Sequence, residues 1–222
     1  MILGETYYIF DNIIDFKSQN ILEEYCKLDY KNWNFLKKSP TDLTNELFPD
    51  FDFPFYTKDI KNVESSFVNK NVPESINNII ESIKLNALEK SNLKLLKTYR
   101  YKLNCMAPIK PCTDNELWRL IHIDETSQHI VLLYYINDVD GDTCLFRNKR
   151  GITMDAFYTT TSETEKGNYE NVELITRISP KKGRVIIFDG SLLHSPGYSF
   201  TGNRFGVNYN IMIETKHSKN LI

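Results

Sequence analysis

The second half of the chain is a succession of short segments rich in aromatic and β-branched residues, and no other feature limits the possible folds more. Turn residues separate these segments, and no helical periodicity intervenes. Many strands without crossover helices indicate antiparallel pairing, because parallel strands need long connections. The sequence therefore predicts an antiparallel sandwich or barrel. The predicted strands cover residues 97–106, 117–124, 129–137, 143–147, 172–178, 184–189 and 204–213.

The first part of the chain predicts fewer elements, arranged around two helices. We expect a strand over residues 7–13, a helix over residues 18–28 with Ser18 as its N-cap, and a longer helix over residues 73–93. Residues 31–71 mix aromatic residues, prolines and acids without a clean period. Irregular structure with short strands or turns is expected there.

The domain organisation follows from length and from this change of character. A chain of 222 residues fits one domain with a substantial core. Within residues 1–222 we distinguish a support region, residues 1–95, from a strand-rich core, residues 96–215, which carries the candidate site. The predicted fold class is α+β and mainly β.

Composition excludes several classes of function. A net charge of -2 and a pI near 6.1 supply no basic field for phosphate backbones, so nucleic acid is disfavoured as a partner. The four cysteines lack zinc-ribbon spacing and are interpreted as reduced thiols. The amino terminus does not have the charge pattern of a secretory signal, and no run of about 18 apolar residues predicts a membrane span. We therefore expect a cytoplasmic protein.

Of the four histidines, His122 lies in a predicted strand of the core and His194 closely follows one, and each is part of a recognisable motif. In the segment LWRLIHIDET, His122 and Asp124 are separated by one residue. Side chains two residues apart on a strand point to the same face, about 6.5 Å apart along the backbone, so one metal ion can bridge them. Ile121 and Ile123 then point to the opposite, packed face.

His194 is the third candidate metal ligand, just past the predicted strand 184–189. Two imidazoles and one carboxylate on one side of a metal form the facial triad that suits non-haem iron(II), with positions left open for oxygen and a cosubstrate. A structural zinc site would need a closed shell of four ligands. The sequence offers no suitably placed fourth cysteine or histidine.

Arg204 begins the predicted strand RFGVNYNIMI, ten residues after His194. This spacing allows the chain to return alongside the metal with the arginine pointing inward. A guanidinium donates two parallel hydrogen bonds to a carboxylate, which a lysine cannot do as rigidly. We therefore expect Arg204 to bind an acidic organic cosubstrate.

These motifs resemble the HxD…H…R signature of the iron(II)- and 2-oxoglutarate-dependent oxygenases. The resemblance is carried by HID, PKKGRVIIFDGSLLHSP and the following NR, and it spans residues 100–213. The nearest branch is the prolyl-4-hydroxylase-like group, including its small phage and bacterial members. The resemblance implies a double-stranded β-helix (jelly roll, cupin-like) in which His122, Asp124 and His194 hold Fe(II). It also implies that 2-oxoglutarate binds the iron through its keto acid and Arg204 through its far carboxylate.

The resemblance further implies a dioxygenase that hydroxylates a C–H bond with O2 while 2-oxoglutarate is decarboxylated to succinate, and with ascorbate as an accessory reductant. The favoured substrate is a protein or peptide side chain, prolyl above all. A free amino acid or other small metabolite is the alternative. A jelly-roll module that binds a ligand without catalysis is the competing hypothesis from another class. For a phage-encoded member the expected compartment is the host cytoplasm.

Further residues match the family pattern with alternatives left open. In IVLLYYIND, Tyr135 takes the position of a tyrosine that assists the family's arginine, although a core position explains an aromatic strand residue equally well. In YRYKLN, Asn104 lies where related proteins place a polar residue near the 2-oxoglutarate head. Gly206 departs from the serine that several branches carry two residues past the arginine.

The surroundings of the pocket are also predicted. Trp118 and Arg119 flank the site strand and fit substrate contact, packing or surface charge equally well. The loops at residues 107–115 and 148–171 are expected to border the pocket and to set specificity.

Overall fold

Successive side chains of each strand point to opposite faces of its sheet, and each buried face packs against another layer of the molecule. We describe its computed structural model over residues 3–36, 55–62, 67–108, 121–124, 127–149, 172–197 and 199–214. The elements, in chain order, are β1 (Tyr7–Phe10), α1 (Phe16–Asp29), a 3-10 turn (Tyr30–Asn32), β2 (Asn34–Leu36), β3 (Phe55–Asn62), β4 (Phe67–Val68), α2 (Glu74–Ser91), β5 (Leu95–Met106), β6 (Ile130–Tyr135), β7 (Thr143–Asn148), β8 (Val172–Ile178), β9 (Val185–Asp189), β10 (Leu193–Pro196) and β11 (Arg204–Ile213).

The strands form two antiparallel sheets. Over the described ranges, a large sheet has the order β1-β9-β6-β11-β5-β3-β2, with β4 paired to β3, and a small sheet has the order β10-β7-β8. Strands that are distant in sequence lie side by side, such as β5 next to β11. Within the described residues this is the jelly roll, mainly β with two supporting helices, that the family resemblance implied.

One face of the large sheet packs against the helices, and the other faces the small sheet. On β11, Phe205, Val207 and Tyr209 join the helix-side core, while the intervening residues turn toward the small sheet. The inter-sheet core is drawn from both sheets. Its buried members are Val131, Tyr135, Leu145, Ile178, Ile186, Phe188 and Leu192.

The two helices agree with prediction except at one cap. The N-cap of α1 is Asp15, not Ser18, because the Asp15 carboxylate accepts hydrogen bonds from the Ser18 backbone N–H at 2.9 Å and from its hydroxyl at 2.6 Å. The helix therefore begins earlier than expected. Helix α2 follows Pro73 and ends at Ser91, and its C-cap, Asn92, adopts the left-handed conformation common at helix ends.

Three predicted segments differ in the structure. Residues 31–71 were expected to hold only short strands, yet β3 has eight residues because it pairs with both β2 and β5. The predicted strand 117–124 is described only from residue 121, where a single bridge between His122 and His194 replaces continuous pairing. His194 was expected just past a strand, but it lies inside β10, which the sequence analysis did not predict.

Two other expectations concern cysteines and membranes. Cys26, Cys105 and Cys144 are buried and unpaired with one another, as expected for reduced thiols, and Cys112 lies outside the described residues. No helix within the described residues is long and apolar enough to cross a membrane.

Candidate metal centre

Three side chains from two distant segments of the chain converge between the two sheets. His122, Asp124 and His194 form a cluster whose nearest nitrogen and oxygen atoms all lie within 4.8 Å of one another. Asp124 Oδ1 is 3.8 Å from His122 Nε2 and 3.8 Å from His194 Nε2. The three ligands predicted from the sequence are therefore brought together, with one donor atom from each aimed at a common point.

A backbone bridge sets this geometry. The N–H of His122 donates to the carbonyl of His194 at 2.9 Å, and the N–H of His194 donates to the carbonyl of His122 at 2.9 Å. The two imidazole rings consequently lie with their centroids 4.6 Å apart. On the far side of the segment, Ile121 is buried and Ile123 packs against the same small cluster, as the period of two predicted.

His194 is fixed in the form that suits a metal ligand. Its Nδ1 lies 3.0 Å from the carbonyl oxygen of Leu192, which can only accept a hydrogen bond, so the proton is assigned to Nδ1 and Nε2 keeps its lone pair. The ring is buried and packs edge-on against Phe188, with centroids 5.0 Å apart. Packing and hydrogen bonding thus hold Nε2 toward Asp124.

Asp124 is held by two asparagine side chains of β11. Asn208 Nδ2 donates to Asp124 Oδ2 at 2.8 Å, and Asn210 Nδ2 donates to the same oxygen at 3.2 Å. Oδ1 is left facing the two imidazoles. Burial alone would raise the pKa of the Asp124 carboxyl, but in the protein without a metal the hydrogen bond and charge of a His194 protonated on Nε2 as well, and the charge of a protonated His122, hold that pKa well below its usual range. A carboxylate that is ionised, buried and oriented fits a cation.

Arg204 lies buried at the start of β11, four residues before Asn208 on the same strand face. Its Nη2 donates to the Thr143 hydroxyl at 2.5 Å, and its Nη1 lies 3.6 Å from the sulfur of Met106. No carboxylate within the described ranges forms an ion pair with it. A buried guanidinium without an acidic partner is costly, so this position favours an anionic ligand.

Tyr135 packs in the inter-sheet core and also lies against the guanidinium of Arg204. It is buried in the inter-sheet core, and its ring centroid lies 5.3 Å from the Arg204 guanidinium carbon. Its hydroxyl donates to Thr143 at 2.7 Å, so Thr143 accepts hydrogen bonds from both neighbours. Tyr135 therefore lies in the core and beside Arg204, and its role in binding a cosubstrate stays a prediction.

Asn104 and Gly206 face one another across β5 and β11. The Asn104 amide oxygen accepts a hydrogen bond from the Thr57 hydroxyl at 3.3 Å, which places its polar group on the site face. A Cβ at position 206 would lie 3.1 Å from the carbonyl oxygen of Tyr134. Glycine there avoids this crowding and leaves the face between Arg204 and Asn208 without a side chain.

Some expectations lie outside the described residues, and some residues were missed. Trp118, Arg119 and nearly all of the loops 107–115 and 148–171 fall outside the described part of the chain. Three polar residues that hold the candidate site were not predicted from the sequence: Thr143, Asn208 and Asn210. The signal for the two asparagines was available, because they follow Arg204 at steps of two in a strand.

Comparison with known proteins identifies the architecture. No family model and no curated protein sequence matches the chain. Among solved structures, a Pseudomonas putida prolyl-4-hydroxylase is 8% identical, with a TM-score of 0.55, over 95% of this chain and 94% of that one. A Trichoplax adhaerens prolyl hydroxylase in complex with a hypoxia-inducible-factor peptide fragment is 11% identical, with a TM-score of 0.58, over 94% and 84%.

A third similar structure is in complex with a different kind of molecule. It is the epimerase SnoN in complex with Fe3+, alpha-ketoglutarate and nogalamycin RO, which is 11% identical, with a TM-score of 0.57, over 94% of this chain and 79% of that one. At these identities the likeness concerns the fold. The chain therefore has the fold of the prolyl hydroxylases and the 2-oxoglutarate- and iron-dependent oxygenases, as the sequence resemblance implied.

Proposed function

We propose that this protein is an iron(II)- and 2-oxoglutarate-dependent oxygenase that hydroxylates a C–H bond. The observation that carries the proposal is the convergence of His122 Nε2 and His194 Nε2 on Asp124 Oδ1, each at 3.8 Å, within a fold that houses this chemistry in other proteins. Two imidazoles and one carboxylate are the donor set that suits non-haem iron(II). When bound, iron(II) and 2-oxoglutarate would supply the activation of dioxygen, and the decarboxylation of 2-oxoglutarate would yield succinate.

The protein's own residues prepare this centre. The Leu192 carbonyl keeps the His194 lone pair on Nε2, and the amides of Asn208 and Asn210 occupy one oxygen of Asp124 so that the other faces the histidines. Apolar side chains, among them Phe188, limit the access of water to His194.

Arg204 is proposed to bind the far carboxylate of 2-oxoglutarate, with Tyr135 and Asn104 as further cosubstrate contacts. Thr143 fixes the guanidinium through Nη2, and Tyr135 packs beside it. Gly206 leaves the sheet surface open between Arg204 and Asn208, which is the path from the arginine to Asp124. A dicarboxylate along this path would neutralise the buried positive charge of Arg204.

For the primary substrate we propose a protein or peptide side chain, prolyl above all, and a small metabolite as the alternative. Two of the similar structures are prolyl hydroxylases, one of them in complex with a peptide, and this supports the first class. The similar epimerase, in complex with nogalamycin RO, supports the second. Mass spectrometry of a cell lysate incubated with the iron-loaded protein would separate the two classes by the molecules that gain oxygen.

Anaerobic titration with iron(II) and 2-oxoglutarate tests the central proposal. A weak visible charge-transfer band is expected in the wild-type protein and is expected to vanish in His122→Ala, whose folding is checked by circular dichroism. A well-folded wild-type protein without the band would contradict the proposal. If the band forms but oxygen addition yields no succinate, the competing hypothesis of a non-catalytic binding module is supported instead.

A further inference from the structure

The sheet face that carries the candidate metal centre bears more positive charge than Arg204 alone. On β5, Lys102 pairs with Asn208 and Arg100 pairs with Asn210 in the register of the two strands. Side chains of register partners share a sheet face, so both cations point to the same side as Arg204 and the asparagines that hold the candidate ligand. Three cationic side chains therefore share this face on two adjacent strands.

Arg100 is already engaged next to the metal centre. Its Nε donates to the amide oxygen of Asn210 at 3.4 Å, and its Nη2 donates to the backbone carbonyl of Asp124 at 3.4 Å. Both acceptors are neutral groups. The positive charge of Arg100 is thus brought beside the centre without being neutralised by a carboxylate contact in the described part of the chain.

Lys102 has no such engagement. It is partly buried, and in the described ranges it makes neither a hydrogen bond nor an ion pair. Burial, and then the nearby charge of Arg100, lower the pKa of Lys102 against the opposing charges of Asp124 and Asp59. Asp59, its register partner on β3, is exposed and forms no ion pair with Lys102 in the described ranges. An ammonium group withdrawn from water beside another cation calls for an anion.

The charges of the proposed cofactors do not supply that anion. Iron(II) carries two positive charges and 2-oxoglutarate two negative charges, so together they add none. Asp124 balances one of the three cations on this face, and Asp59, although it is the neighbour of Lys102 across the strand pair, is exposed to solvent, which screens its charge. Positive charge at Lys102 is left over for a third molecule.

We infer that Lys102, with Arg100 beside it, binds an anionic oxygen group of the primary substrate, so that the substrate class is acidic, bearing a carboxylate or a phosphate. This inference rests on the proposed function, because it assigns the third component of the same site. It concerns the substrate's charge and applies to a peptide or a metabolite alike. A carboxylate and a phosphate offer the same charged oxygens to an ammonium group.

The test uses the iron-loaded protein with 2-oxoglutarate and isotopically heavy dioxygen. A cell extract, diluted to low ionic strength so that small metabolites are kept, is separated by anion exchange into a bound, acidic fraction and a flow-through fraction, and each is incubated with the protein before mass spectrometry. Heavy oxygen is expected in a product from the bound fraction. Phosphatase treatment of that fraction beforehand abolishes the labelled product if the group is a phosphate and leaves it if the group is a carboxylate.

Variants connect the result to the lysine. Lys102→Met should lower labelling at low extract concentration by roughly tenfold, as expected for the loss of one charge-assisted hydrogen bond, and Lys102→Arg should retain most of it. Lys97→Met, at the exposed end of the same strand, is the matched control and should label normally. The visible band with iron(II) and 2-oxoglutarate should persist in all of these proteins.

Each contrary outcome is distinct. Label only in the flow-through fraction, no label from the bound fraction, or equal labelling by wild type and Lys102→Met would overturn the inference while leaving the oxygenase proposal in place, provided that the visible band forms. Loss of the band in the wild-type protein would instead contradict the proposed function itself.

Discussion

At the scale of single residues, Asn208 and Asn210 determine how Asp124 is presented. Both amides bind Oδ2 and so leave Oδ1 toward the histidines. Asn208→Ala and Asn210→Ala should each weaken iron(II) binding by roughly 10- to 100-fold, the usual effect of removing a partner of a metal ligand. Anaerobic metal titration measures this effect. Asn78→Ala, on the exposed face of α2, is the control and should bind iron like wild type.

Arg204 supports a second prediction at this scale. Arg204→Lys keeps the positive charge but loses the planar pair of donors, so the 2-oxoglutarate concentration for half-maximal formation of the visible band should rise at least roughly tenfold. Iron binding in the absence of 2-oxoglutarate should not change. Arg147→Lys, which alters an exposed ion pair with Glu5, is the matched control. An unchanged half-saturation point in Arg204→Lys would argue against the cosubstrate role of the arginine.

At the scale of elements, the turn between β9 and β10 delivers His194 to the site. Asp189 accepts hydrogen bonds from the backbone and hydroxyl of Ser191, and its other oxygen accepts from the backbone of Leu3. Gly190 packs directly on the buried His129 ring, which a Cβ at that position would overlap. The turn is therefore held by contacts on both sides.

This packing predicts the effect of adding one methyl group. Gly190→Ala should lower the free energy of unfolding by about 1–3 kcal/mol, the usual penalty for overpacking, as measured by urea denaturation. Gly202→Ala is the matched control, because a Cβ there meets no atom within 4 Å, and it should be nearly neutral. Equal stabilities of the two variants would show that the turn can relax around the added methyl group.

At the scale of the whole molecule, three carboxylates tie distant segments together and have a pKa lowered to about 2. Hydrogen bonds from Arg184 are the largest influence on the pKa of Asp11. Burial would raise the pKa of Asp29 and of Asp140, but hydrogen bonds outweigh it, from Lys58 and Trp33 to Asp29 and from residues 199–201 to Asp140. Each carboxylate stabilises the fold while it is ionised.

These pKa values predict acid sensitivity of the metal-free protein. A carboxyl with a pKa lower in the folded state than its ordinary 3.8 contributes stability that is fully present above pH 3.8 and is lost as the pH falls toward 2. Thermal unfolding should therefore show a melting temperature that drops over that range. Asp140→Asn should lower the melting temperature by a few degrees at pH 6 and flatten the acid-dependent drop. An unchanged pH profile in Asp140→Asn would contradict this account.

Some features of this structure were predictable from the sequence, and others were not. The faces of β11 were predictable, because apolar residues at every second position are sufficient to place one side on a core. The cap at Asp15 and the strand β10 were not predicted correctly. Both Asp15 and Ser18 are suitable N-cap residues, and the local sequence does not show which of them caps α1. The four residues of β10 become a strand only by pairing with β7, which is a distant segment.

The sequence alone predicted the candidate ligands and an antiparallel sandwich or barrel, because a period of two and the chemistry of His, Asp and Arg are local properties, and the family resemblance added the jelly roll. How the ligands are held depends on contacts between distant parts of the chain. Asn208, Asn210 and Thr143 acquire their roles when β11 comes to lie over residues far away in the chain. Lys102 likewise becomes a candidate substrate contact only because β5 and β11 are neighbours, and hydrogen-bonded register is a property of paired strands rather than of either segment.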